Sequence, residues 1–358
     1  MDNDRRVRVL VVDDTAIYRK ILREVLGGMT GIEVVGTAPN GRIALEKIAL
    51  LKPDVLTLDL EMPEMDGLQT LAGLERVPVR VFPVMVSAHT TRGAEVTLKA
   101  LQGGAFDFIA KPADADPAAN ARQLRCQLER VFAALRHRLP AGAAATVVAS
   151  PAPSAAPVTR SVRPAGPLQV VAIGISTGGP RALAELIPAL PAGLAAPVLI
   201  VQHMPPIFTA ALADSLNQKA ALTVCEAGDG QPVRPGTVYV APGGRHMKVV
   251  RRSGEATPRI AITDEPPENH CRPSVDTLFR SVARVYGGRA LAVVMTGMGN
   301  DGALGLRLMK REGAVAVAQD EASSTVFGMP NEAIRTGVVD AVVPLGAMAA
   351  TIVRMVKG

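Results

Sequence analysis

Residues 7–14, VRVLVVDD, run through valine and leucine and stop abruptly on two carboxylates. A run of this length is too short for a helix and suits a strand buried on both faces. The same pattern returns at 33–37, 55–58, 81–86 and 106–109, and in the second half at 170–174, 198–202, 238–241, 290–295 and 314–318. Amphipathic stretches separate these runs, which is the signature of a parallel sheet covered by helices. The expected fold is α/β, with two doubly wound domains.

A composition shift sets the domain limits. Residues 140–167 are almost entirely Ala, Pro, Ser, Thr, Gly and Val without periodicity, which predicts a flexible linker. The first domain is expected over 1–139 and the second over 168–358. Leu124, Leu128, Val131, Phe132, Leu135 and Leu139 recur at helical spacing and predict a last, extended helix of the first domain.

Composition also excludes classes. The net charge is +6 but dispersed, and with aromatic residues at only 3% no nucleic-acid-binding face is expected. No apolar run reaches the ~18 residues of a membrane span, and the charged start does not resemble a secretory signal. A cytoplasmic protein without direct membrane insertion is expected. Cys126, Cys225 and Cys271 are isolated, with no CxxC pair. They read as reduced thiols, and their spacing speaks against zinc.

In a doubly wound sheet, functional groups gather beyond the carboxyl ends of the strands. Asp13 and Asp14, Asp59, Ser87 and Lys111 all fall there. Three carboxylates in one crevice repel unless a cation sits among them, and all-oxygen ligation suits Mg2+. Lys111 offers a point charge to a phosphoryl group and Ser87 a hydroxyl. Any one of these alone reads as a cap or turn residue; together they define a site. The stretches VLVVDDTAIYRKIL, LTLDLEMPEMDGLQTL, VMVSAHT and GAFDFIAKP resemble the flavodoxin-like receiver domain of response regulators. That resemblance implies Asp59 as phospho-acceptor, with Mg2+ held by Asp13, Asp14, Asp59 and the backbone carbonyl of Glu61. It implies phosphoryl contacts from Ser87 and Lys111, a switch role for Phe108, and a sensor histidine kinase of the chemotaxis type as phosphodonor. Thr15 and Tyr18 stand where the family often has Ser and Met.

In the second half, Gly174-Ile175-Ser176-Thr177-Gly178 follows a buried strand and precedes Pro180. The glycines permit a sharp turn that projects Ser176, and a helix start beyond it offers N–H groups to an oxyanion. Such turns also bind phosphate or merely turn, so a base is required. Of His203, His246 and His270, only His203 directly follows a predicted strand, VLIVQ. Asp301, in the loop TGMGNDG at 296–302, is the candidate to orient the imidazole; its plain alternative is a helix N-cap. Ser176, His203 and Asp301 would then carry acyl transfer, with N–H groups near Ser176 and at Met298 for the oxyanion. The order Ser, His, Asp differs from that of the ordinary α/β-hydrolase fold, which is not expected here.

The stretches IGISTGGPRAL, VQHMPPIFT, EAGDGQPVRPGTVYVAPGGRHM, RPSVDTLFRSVA, MTGMGNDGALGL and QDEASSTVFGMPNEAI resemble the catalytic domain of the chemotaxis protein-glutamate methylesterase family, CheB. The resemblance implies hydrolysis of glutamate γ-methyl esters on methyl-accepting chemoreceptors and deamidation of receptor glutamines, with no cofactor in this domain. It also implies a supporting place for Thr177 and an unphosphorylated receiver that blocks the esterase cleft. The alternatives are the same chemistry in a non-chemotactic receptor pathway, or a phospho-regulated binding protein with an inactive esterase domain. A DNA-binding output domain would be shorter and less rich in strands.

Overall fold

In the computed structural model, residues 5–88, 90–136, 138–139 and 166–357 are described. The chain divides into two compact units, Met1–Ala149 and Ser150–Gly358. The stretch expected as a linker lies outside the described residues over 140–165.

The first unit holds five parallel strands: β1 (Val7–Val12), β2 (Ile32–Ala38), β3 (Val55–Asp59), β4 (Phe82–Ser87) and β5 (Asp107–Ala110), in the order β2-β1-β3-β4-β5. Helices connect them, so both faces are covered and β3 and β5 are buried along their whole length. The chain leaves β1 to one side for β2 and returns to the other for β3. That reversal opens a crevice at the carboxyl ends of β1 and β3. Strands β4 and β5 begin one residue later than expected. Pairing sets the start of β4: its ladder opens where Phe82 N donates to Asp54 O (2.9 Å). The helix Pro117–Arg136 buries Leu124, Leu128, Val131, Phe132 and Leu135 as the periodicity predicts. It ends at Arg136, so Leu139 does not extend it; it sits in a turn with its N–H on the Leu135 carbonyl.

The second unit holds β6 (Val170–Ile175), β7 (Val198–Gln202), β8 (Thr223–Glu226), β9 (Thr237–Val240), the antiparallel pair β10 (His246–Val250) and β11 (Arg259–Thr263), then β12 (Ala290–Val294), β13 (Val315–Gln319) and β14 (Ala341–Val343). Seven of them form a parallel sheet in the order β14-β13-β12-β6-β7-β9-β8. The edge strands β8 and β14 escaped the sequence reading because one is half-polar and the other has only three residues. Strand β6 is wholly buried between β12 and β7. The chain runs from β6 toward β7 and comes back across it to β12, so this sheet too reverses at its centre. Among the described residues, no helix is long and apolar enough to cross a membrane.

Candidate active site and phosphorylation cleft

In the first unit, Asp13 follows β1, Asp59 ends β3 and Lys111 follows β5. The Lys111 ammonium donates to Asp13 Oδ2 and Asp59 Oδ2, both at 2.8 Å. Burial pushes the Asp59 carboxyl up, and Asp13 adds repulsion; Lys111 pulls the other way, and the balance is about 6. Oxygen atoms of Asp13, Asp14 and Asp59 lie within 4.8 Å of one another. This all-oxygen set fits a hard divalent cation such as Mg2+, which would also relieve the repulsion. Glu61 lies in the loop beyond β3, its side chain 3.9 Å from Arg92. Ser87 Oγ is hydrogen-bonded to the carbonyls of Ala88 and Gly93, not to Asp59. Phe108 is buried on β5. Tyr18 lies under Lys111, the ammonium 4.5 Å from its ring centre.

In the second unit, the central strand and its two neighbours deliver the candidate residues. Ser176 follows β6, His203 follows β7, and the loop carrying Asp301 follows β12. Pairing continues one step past the strands: His203 N donates to Ile175 O (3.1 Å) and Ser176 N to Thr296 O (2.9 Å). Adjacent strands lie ~4.8 Å apart, so Ser176 and His203 stand side by side at one rim. Gln202 Nε2 donates to the carbonyls of both, at 3.0 and 3.3 Å. The turn after Ser176 requires glycine: Gly178 has φ +80°, and a Cβ there would lie 2.3 Å from Thr325 Cβ. Pro180 then enters the first turn of the helix Gly179–Leu186.

Asp301 does not cap its own helix, whose N-cap is Gly302. Its carboxylate instead docks on the start of the neighbouring helix Val275–Tyr286. Asp301 Oδ1 accepts from Ser274 Oγ (2.8 Å), Asp276 N (3.1 Å) and Asn269 Nδ2 (3.2 Å). Oδ2 accepts from Val275 N (2.7 Å) and His203 Nε2 (2.8 Å). Burial alone would raise this carboxyl, but the imidazole and the helix N–H groups hold it down at about 2. Burial likewise disfavours the His203 imidazolium. Hydrogen bonds with Asp301 and Cys271, and their charges, outweigh it and raise His203 to about 9.

The Ser176 hydroxyl makes no hydrogen bond to His203 in this structure. The two ring nitrogens face other groups: Nε2 faces Asp301, and Nδ1 lies 3.7 Å from Cys271 Sγ. With Asp301 holding Nε2–H, the basic lone pair sits on Nδ1. Thr177 is buried beside Ser176, and its carbonyl accepts from Thr296 Oγ1 (2.9 Å). Met298 is half-buried in the loop after β12, where Gly297 N donates to Val326 O and Gly297 O accepts from Gly328 and Met329. His246 is buried, accepting at Nδ1 from Ser274 N and bonded at Nε2 to Pro266 O, so it pins the helix start. His270 is exposed in the loop before Cys271. Sequence reasoning missed Gln202, Asn269, Cys271 and Ser274 as site residues, although Gln202 and Ser274 belong to quoted stretches. Nothing in local pattern links them to residues 26 or more positions away.

One unit carries a carboxylate–lysine cleft and the other a serine turn with an adjoining imidazole–carboxylate pair, a combination that fits the class of phosphorylation-controlled signalling enzymes. Comparison with known proteins narrows the class. Residues 171–352 match the CheB methylesterase family and residues 9–121 the response regulator receiver domain. The chain is 47% identical over 363 residues to a protein-glutamate methylesterase/protein-glutamine glutaminase of Desulfotalea psychrophila, covering 99% of each. It is 46% identical to one from Salmonella typhimurium, covering 95% of this chain and 94% of that one. The crystal structure of the Thermotoga maritima CheB methylesterase catalytic domain superposes with a TM-score of 0.51 at 39% identity, covering 52% of this chain and 98% of that one. The chain belongs to the CheB methylesterase family and carries a response regulator receiver domain.

Proposed function

We propose that this chain is a phosphorylation-regulated protein-glutamate methylesterase and protein-glutamine glutaminase acting on methyl-accepting chemoreceptors. The observation that carries the reading is the His203–Asp301 pair beside the Ser176 turn, with bond length 2.8 Å. Ser176 Oγ attacks the ester carbonyl of a methylated glutamate as its proton passes to His203 Nδ1, and Asp301 stabilises the imidazolium. The oxyanion is held by N–H groups at the Ser176 turn and Met298, each good donor contributing ~3 to 4 kcal/mol. His203 returns the proton to the departing methoxide, giving methanol and an acyl-enzyme. Water, activated by the same imidazole, releases glutamate. With a glutamine substrate the identical route releases ammonia. Thr177 supports the turn.

In the receiver, Asp59 accepts the phosphoryl group from a chemotaxis-type sensor histidine kinase. Asp13, Asp14, Asp59 and the Glu61 carbonyl would hold Mg2+, which neutralises charge during transfer. Lys111 and Ser87 contact the phosphoryl oxygens, and Phe108 responds to the shift of Ser87. The Ser87 hydroxyl, now turned to Ala88 and Gly93, has to leave those carbonyls to do so. The working limits are a receiver over 1–139, a linker over 140–167 and a catalytic domain over 168–358, in a cytoplasmic protein whose esterase chemistry uses no cofactor. The test is methanol release from methyl-labelled receptor, with and without a small phosphodonor and Mg2+. Ser176→Ala should release none, and Asp59→Ala should lose the donor response. Undiminished release by Ser176→Ala would overturn the reading.

A further inference from the structure

The fold assembles a pair of soft metal ligands that the spacing of cysteines along the chain did not announce. Cys271 Sγ and His203 Nδ1 come from segments 68 residues apart and lie 3.7 Å apart. A tetrahedral zinc ion with Zn–N of ~2.0 Å and Zn–S of ~2.3 Å separates those two ligand atoms by about 3.5 Å. The gap is therefore already the right width. The other ring nitrogen of His203 donates to the Asp301 carboxylate at 2.8 Å. That is the outer-shell arrangement that fixes the tautomer and orientation of metal-ligating histidines. Asp301 is in turn immobilised by Ser274, Asn269 and two backbone N–H groups. Imidazole, thiol and carboxylate atoms of these residues all lie within 4.8 Å of one another.

We propose that a borderline-soft divalent cation, Zn2+ in the first instance, binds between His203 Nδ1 and Cys271 Sγ and reversibly inhibits the esterase. Binding displaces the thiol proton to solvent and leaves two coordination positions for water. The ion takes the lone pair that would accept the Ser176 proton, so inhibition rests on the role proposed for His203; occupancy does not. Two protein ligands make a site that a chelator empties, in contrast to a closed structural zinc centre.

The experiment uses the full chain with millimolar Mg2+ present to fill the all-oxygen receiver site. Co2+ is added as a spectroscopic probe and Zn2+ as inhibitor, for wild type, Ser176→Ala, Cys271→Ala and Cys271→Ser. A thiolate–Co2+ charge-transfer band is expected in wild type and Ser176→Ala, to be bleached by Zn2+ and lost in both Cys271 variants. Zn2+ at about ten times its dissociation constant should cut wild-type methanol release about tenfold, reversibly with EDTA. The fractional inhibition of each Cys271 variant should be far smaller at the same concentration. A band that persists in Cys271→Ala, or equal Zn2+ inhibition of wild type and both Cys271 variants, would overturn the proposal. Absence of methanol release in every sample refutes the hydrolase reading instead, while the Co2+ band still decides the site.

Discussion

Replacing Asp301 by asparagine separates orientation of the base from packing. The carboxylate accepts five hydrogen bonds, three on Oδ1 and two on Oδ2. An amide of the same shape has one oxygen, so its NH2 must face donors on one side. Turned toward Oδ1, it meets Asp276 N and Asn269 Nδ2, and only the Ser274 hydroxyl can rotate away. Turned toward Oδ2, it meets Val275 N alone, because His203 can move its proton to Nδ1 and accept at Nε2. The second orientation wastes fewer bonds and is expected to prevail. It leaves one buried N–H without an acceptor, at about 1–3 kcal/mol, and removes the anion from a helix start, at about 0.3–1 kcal/mol. At 2–4 °C per kcal/mol for a domain of this size, unfolding of the catalytic unit should fall by roughly 3–15 °C. The catalytic effect is much larger. The base lone pair now points at an amide and away from Ser176, and a wrong tautomer costs about 10⁴ in kcat, or about 5 kcal/mol of barrier. Methanol release and a thermal melt on the same preparation read both numbers. A folded Asp301→Asn protein retaining more than about a tenth of wild-type kcat refutes the orienting role.

Other outcomes follow from the same contacts. His203 is raised from 6.5 to about 9, so its stabilisation is complete below its unfolded pKa and disappears as pH rises through about 9. The unprotonated base that catalysis needs grows over that same window, so kcat/KM should climb while urea stability falls; a flat rate from pH 6.5 to 9 contradicts this. Lys111→Ala leaves Asp13 and Asp59 facing each other and should destabilise the receiver by roughly 1–3 kcal/mol. That is below the figure for a fully buried pair, because Lys111 keeps 21% of its side chain in water. Millimolar Mg2+ should recover more stability in that variant than in wild type; an equal gain argues against the shared carboxylate site. Gly178→Ala combines a left-handed backbone, about 1–2 kcal/mol, with a collision against Thr325. Esterase activity should collapse, and adding Thr325→Gly should restore part of it; no rescue would mean that the turn fails for another reason.

Strands buried on both faces were legible because an unbroken aliphatic run has few other uses, and β6, β7 and β12 were found within a residue. The carboxyl ends of β6, β7 and β1 pointed to Ser176, His203 and Asp13 as candidates, since the first residue past a central strand of a doubly wound sheet lies at the crevice. What stayed hidden depends on pairing across the fold. The half-exposed edge strand β8 lacks a continuous signal, and the turn around Leu139 is set by where the helix Pro117–Arg136 stops.

Asp301 shows where local grammar misleads. An Asp just before a helix reads as that helix's cap, and chemically the instinct is sound: its carboxylate does satisfy helix N–H groups. They belong to Val275 and Asp276 of another helix, which begins 26 positions earlier. Gly302, with φ +96°, takes the cap position and frees the side chain to turn away. One carboxylate thereby completes a helix start, which keeps it ionised in a buried place, and presents its Oδ2 to His203. A carboxylate held only by the imidazole would face the full desolvation cost, and burial would push it toward protonation. The N–H groups of the helix remove that pressure, so the fold supplies the charge that the proposed chemistry would use.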